Sequence, residues 1–112
     1  MNTAVSYRKP ALKQKGISAY QENQILNLSP TELILKLYDL AILSIKKNDI
    51  PKANRVIAEL ISSLNFDYKD VSLGLFKLYR FCQDNLYQGN KKVALDILQD
   101  LRDTWAKAFN LS

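Results

Sequence analysis

Ser29-Pro30-Thr31-Glu32-Leu33-Ile34-Leu35-Lys36-Leu37-Tyr38-Asp39 is the stretch from which the fold of this 112-residue chain is read. Serine at an N-cap accepts from the N3 amide, and proline loses nothing at N1, where no intrahelical partner exists for its missing N–H. Glu32, at N3, can reach back to the serine amide, and Leu28 and Leu33 stand at the two hydrophobic-staple positions. Four signals thus place a helix start at one residue. That helix is expected to run to about Lys47, with Lys46 and Lys47 favourably placed at its negative end.

Working outward, Asn48-Asp49-Ile50-Pro51 reads as a turn and restart. Ala53, Val56, Ile57, Leu60, Ile61 and Leu64 then recur at i, i+3, i+4, i+7, i+8 and i+11, the apolar stripe of a second amphipathic helix. Asn65-Phe66-Asp67 breaks it, and Asp67 or Asp70 is the expected cap of a third helix. Its core stripe reads Val71, Leu75, Leu78, Tyr79, Cys82 and Leu86, and Gly89 ends it as the C′ residue. Asn90 is the expected cap of a fourth helix, with Ala94, Leu98, Leu101, Trp105 and Ala108 on its inner face. Alternating strand patterns, glycine-rich loops and internal repeats are missing from the sequence. The expected fold is all-α, an antiparallel up-and-down four-helix bundle with a short N-terminal helical leader. Residues 1–16 are expected to form a flexible basic leader and residues 17–112 a single bundle domain.

Composition narrows the function. The chain carries a net charge of +5, but Arg8, Lys9, Lys13 and Lys15 supply four of those charges before Gly16. From Ile17 onward 12 basic residues face 11 acidic ones. A nucleic-acid reader clusters its basic groups along a structured face, so this distribution argues against one. No histidine and a single cysteine, Cys82, make a zinc or other transition-metal site an unfavourable expectation. Asp96, Asp100 and Asp103 share one helix face, but solvated faces do this routinely and no nucleophile or base accompanies them. Neither an enzyme nor a cofactor is expected. The lone cysteine and the lack of a secretory-type N-terminus or long apolar run suit a cytoplasmic protein without direct membrane insertion.

One pattern exceeds what a bundle core requires. Projected at about 100° per residue, the apolar residues of the first helix cover about 220°, leaving Lys36, Asp39, Lys46 and Lys47 on a narrow polar strip. On the third helix Leu73, Phe76 and Tyr87 lie about 140–200° from Val71, with Phe81 more isolated. A surplus of this kind needs covering by a partner, by the chain's own leader or by self-association. The expected partner surface is therefore Leu33, Leu37, Tyr38, Leu40 and Ile42 with Leu73, Phe76 and Tyr87. Tyr20, Ile25 and Leu28 are the expected removable cover. Asp39 is expected to hold a local hydrogen bond and Trp105 to anchor the core.

The block Tyr20–Asp39, with its leader tyrosine, Ser-Pro cap, aliphatic pair and Leu37-Tyr38-Asp39, resembles the opening of the FliS family of flagellin export chaperones. Asp49-Ile50-Pro51-Lys52-Ala53-Asn54 is similar to the family's second turn, and Leu101-Arg102-Asp103-Thr104-Trp105 to its closing helix. The resemblance spans about residues 18–109. It implies a cytoplasmic chaperone, monomeric or weakly dimeric when empty, that binds the C-terminal segment of flagellin and prevents premature polymerisation. It also implies delivery to the export apparatus, with an export-gate component as a further candidate partner. Two departures stand out: Leu40 replaces a small or polar residue, and the segments 42–47 and 56–60 are shorter by about two helical turns each. A helical interaction module for another secreted or assembly partner is the alternative reading.

Overall fold

The computed structural model describes residues 29–110. Chain direction is set first at Ser29. Its Oγ accepts from the Glu32 amide at 3.2 Å, and its own amide donates to Glu32 Oε1 at 3.1 Å. This reciprocal pair opens α1 (Pro30–Lys46) as expected. The same contacts hold the Glu32 carboxyl below its usual pKa, the Ser29 amide being the larger cause and the Ser29 hydroxyl the lesser. At the far end Asn48 takes a left-handed φ of 61°. There the Asn48 amide donates to Ile45 O and the Asp49 amide to Ser44 O. This Schellman closure satisfies two carbonyls that the last turn leaves free.

Asp49 then caps α2 (Ile50–Ser62), accepting from the Lys52 amide at 3.2 Å. The break that follows is locked by Asn65, whose Oδ1 accepts from the Asp67 amide. α3 (Lys69–Tyr87) begins after Tyr68 with no side-chain cap, so neither Asp67 nor Asp70 plays the capping part expected of it. Asp70 lies inside the first turn, where a carboxylate meets the positive end of the helix. Gly89, at φ 87°, closes α3 through a second Schellman pair, with Asn90 N–H donating to Asn85 O at 2.7 Å. α4 (Lys91–Ala108) follows. Asn90 stands at its N-cap, but its side chain does not cap; its amide donates to Asn85 Oδ1 instead.

The helices form a ring: α1 packs on α2 and α4, and α3 packs on the same two from the opposite corner. This is the expected antiparallel up-and-down bundle. Its core joins Leu37, Tyr38 and Ala41 of α1 to Val56, Ile57 and Leu60 of α2, with Leu75, Tyr79, Cys82, Leu86, Ala94 and Leu98 from the last two helices. Each large aliphatic side chain enclosed here contributes about 1.5–3 kcal/mol relative to an exposed one. Among the described residues, no helix is long and apolar enough to cross a membrane.

α3 is rotated from its expected setting. Val71 and Leu78 were expected in the core, yet they are exposed, while Ser72 is fully buried. The Ser72 hydroxyl donates to Asn65 O at 2.6 Å, which removes the cost of burying it. Asn85, also buried, donates to Phe81 O. Two polar residues satisfied by backbone carbonyls thus occupy core positions and turn the margin of the apolar stripe outward. α4 differs in a smaller way: Ala106 is buried and Ala108 exposed, with Leu101 and Trp105 half-buried.

Candidate partner-binding surface

The eight residues expected to bind a partner divide by helix. On α1, Leu33, Leu37, Tyr38, Leu40 and Ile42 are all buried, Leu40 at 3% exposure. The surface expected on α1 is therefore core. Asp39 and Arg102 identify the flank of α1 turned toward α4, and Leu35 and Ile42 lie on that side of the helix. The opposite flank carries Leu33, Leu37 and Leu40. A helix held on both flanks, with a central sector facing inward, needs apolar residues across all three sectors, and about 220° is the arc this arrangement consumes. Leu43 is the exception, 46% exposed among the charges of the polar strip.

Burial on α1 has a polar centre. Tyr38 Oη lies 2.6 Å from Tyr79 Oη, and Trp105 Nε1–H donates to Tyr38 Oη at 3.0 Å. One hydroxyl thereby ties α1 to α3 and α4. Desolvation raises the pKa of Tyr38 far above the usual phenol range, with the nearby Tyr79 adding to it. Burial likewise pushes Tyr79 up to about 12 and the Cys82 thiol up to about 11. A thiol so placed is a poor nucleophile at neutral pH.

A pH dependence follows. Groups whose folded pKa lies above the unfolded value keep their protons when folded and release them on unfolding. Their stabilisation is complete below the unfolded pKa and is lost as pH rises through the folded one. For Cys82 and Tyr79 that window runs from about 9 to about 12. The melting temperature is expected to fall across this range, and Cys82→Ala to flatten the lower part of the fall. A melting temperature constant to pH 12 would contradict the buried, protonated assignment.

The surplus on α3 remains outside. Leu73 is 39% exposed, Phe76 is half-buried and Tyr87 is 89% exposed. The three share an edge with Arg80, and Gln83 Nε2 donating to Asn54 O at 3.2 Å shows that this edge borders α2. Asn54 Oδ1, buried beside it, has no hydrogen-bond partner among the described residues. The rotation of α3 also leaves a second apolar edge, Val71, Leu78 and Phe81, which sequence reasoning did not assign to the surface as a group. Its signal was present in Ser72, whose hydroxyl needed only a backbone acceptor to become core. The expected cover residues Tyr20, Ile25 and Leu28 lie outside the described residues.

Other polar groups are accounted for structurally. Asp39 accepts from Arg102 Nε at 3.0 Å, a link between α1 and α4 rather than the local bond expected. Asp96 pairs with Lys92, and Asp103 lies 3.7 Å from Arg102. Among the described residues no group of His, Cys, Asp and Glu could hold a metal ion.

Among the described residues, fold and surface together define an all-α bundle with exposed apolar edges on one helix. The chain belongs to the FliS family: the family model described as "Flagellar protein FliS" matches residues 13–112. It is thus a member of a flagellar export chaperone family. No curated protein and no solved structure matches the chain.

Proposed function

We propose that this chain binds the C-terminal segment of flagellin in the cytoplasm, holding it apart from other flagellin copies until it reaches the export apparatus. The observation that carries the reading is the edge of α3 bearing Leu73, Phe76 and Tyr87, which leaves apolar surface in water along the border with α2. Membership of the FliS family supports the flagellar setting. An amphipathic client segment laid along this edge would exchange its exposed apolar face for that of α3. Each Å² removed from water is worth about 25 cal/mol before the cost of ordering the client. Leu73 and Tyr87 are fourteen residues apart, about 21 Å of helix, so a client of several turns is needed to reach both. Tyr20, Ile25 and Leu28 act in this reading as a cover that gives way to the client. Binding requires no bond chemistry.

Calorimetric titration of the full chain with a flagellin C-terminal peptide tests the proposal. Phe76→Asp is expected to weaken binding at least about tenfold, the scale of a central interface residue. Leu43→Asp, on the charged strip of α1, is expected to leave it unchanged. A wild-type chain that does not bind the peptide, or a Phe76→Asp variant that binds as well as wild type, would overturn the reading.

A further inference from the structure

The two turns at one end of the bundle gather positive charge. Lys91 Nζ donates to Asn48 Oδ1 at 3.0 Å, which sets the α3–α4 turn beside the α1–α2 turn. Residues 46–52 and 87–92 together carry Lys46, Lys47, Lys52, Lys91 and Lys92 against the single carboxylate of Asp49. Four of these lysines are exposed and Lys52 is half-buried. Of the five, only Lys92 has an ion-pair partner among the described residues, Asp96, and that pair is exposed. The opposite end, residues 29–36, 62–73 and 103–110, carries four carboxylates against three cations. Charge is thus polarised along the bundle axis. We propose that the lysine end is a peripheral membrane-contact surface, which rests end-on against a bilayer of anionic phospholipid.

The helices themselves give no reason for this placement. α4 opens with Lys91 and Lys92 and has no acid in its first turn. Cations there oppose the positive end of the helix dipole. α2 also lacks an acid in its first turn and carries Lys52 there. A negatively charged surface outside the chain offsets both local costs.

Exposed apolar side chains stand among the lysines, and they favour lipid over a nucleic acid. Val93 is 39% exposed in the first turn of α4, and Leu43 is 46% exposed one turn before Lys47. Tyr87, 89% exposed, brings the end of the client edge to the same tip, two residues before Gly89. The boundary between headgroups and acyl chains takes cations and short apolar groups together, and it suits a ring with a polar tip. A duplex of phosphates offers nothing to Val93 or Leu43. The cations are all lysine, although Arg55, Arg80 and Arg102 stand elsewhere on the described helices. Arginine's fork matches one fixed phosphate or carboxylate, whereas a flexible point charge suits a fluid array of headgroups. A cluster of about four to eight basic residues is the scale that anionic leaflets attract, and the attraction fades within a Debye length. The contact is therefore weak and salt-sensitive. It needs no client and does not depend on the flagellin reading.

Vesicle co-sedimentation of the full chain at low salt, without flagellin peptide, tests this. The chain is expected to bind vesicles of phosphatidylglycerol with phosphatidylcholine at least about tenfold more tightly than vesicles of phosphatidylcholine alone. Lys91→Glu with Lys92→Glu is expected to weaken binding to the anionic vesicles at least about tenfold. Acids at those positions face the favourable end of α4, and circular dichroism checks that the variant folds. Lys69→Glu with Lys107→Glu makes the same charge change at the opposite end and is expected to weaken binding less than about threefold. Both variants keep the basic residues before Gly16, so the comparison isolates the lysine end. Equal losses in the two double variants, or no loss in either, would overturn the proposal. So would wild-type binding that does not weaken from low to physiological salt. A short DNA duplex bound more tightly than the anionic vesicles, with the same dependence on Lys91 and Lys92, would overturn it too.

Discussion

Tyr38→Phe is expected to lower the free energy of unfolding by about 2–4 kcal/mol, measured by urea titration. Tyr79→Phe, which removes the other hydroxyl of the same contact, is expected to cost only about 0–1 kcal/mol. The asymmetry comes from counting hydrogens. Trp105 Nε1–H and the two phenol O–H groups offer three donor hydrogens, but the cluster holds two bonds. One hydroxyl hydrogen therefore has no acceptor among the described residues. Deleting the Tyr38 oxygen removes the partner of both the half-buried indole N–H and the buried Tyr79 hydroxyl. Deleting the Tyr79 oxygen leaves the Trp105 bond intact and removes one donor together with one acceptor, so a single hydrogen still lacks a partner, as before. Equal costs for the two variants would mean that Tyr38 is not the hub of the network.

Leu40→Ala carries the second large effect. Leu40 is 3% exposed, and its truncation is expected to cost about 2–5 kcal/mol, the transfer of the lost atoms plus the cavity they leave. Leu43→Ala, three residues further along the same helix and 46% exposed, is expected to stay within about 0.5 kcal/mol. A surface role for Leu40 would give the reverse ordering in part: little change in urea, with loss of flagellin-peptide binding. Comparing the two truncations by denaturation and by titration thus separates core from docking surface on α1. It also bears on how leucine is accommodated at position 40. Here the position is enclosed, and a large side chain fills it.

The local chemistry of the chain was legible from its residues. Ser29, Pro30 and Glu32 announced the start of α1, Asn48 to Pro51 announced the turn into α2, and Gly89 announced the end of α3. These signals act over three to six residues and depend on backbone groups that must be satisfied wherever the helix ends. The width of the apolar arc on α1 was legible too, since it follows from residue order alone. What the arc faces was not.

A helical wheel orders residues around an axis without fixing the rotation of that axis against its neighbours. The rotation of α3 depended on Ser72 finding Asn65 O and Asn85 finding Phe81 O, contacts that hydropathy counts as polar and therefore outward. The burial of Leu33, Leu37, Tyr38, Leu40 and Ile42 depended on both flanks of α1 being held at once. Sequence by itself determined the four helices, the ends marked by Ser29, Asn48–Pro51 and Gly89, and the amount of apolar surface each helix carries, because these are set within a few turns of chain. Only the tertiary structure decided which of that surface is core and which is free. Burial is a property of neighbours, and neighbours arrive from far along the chain.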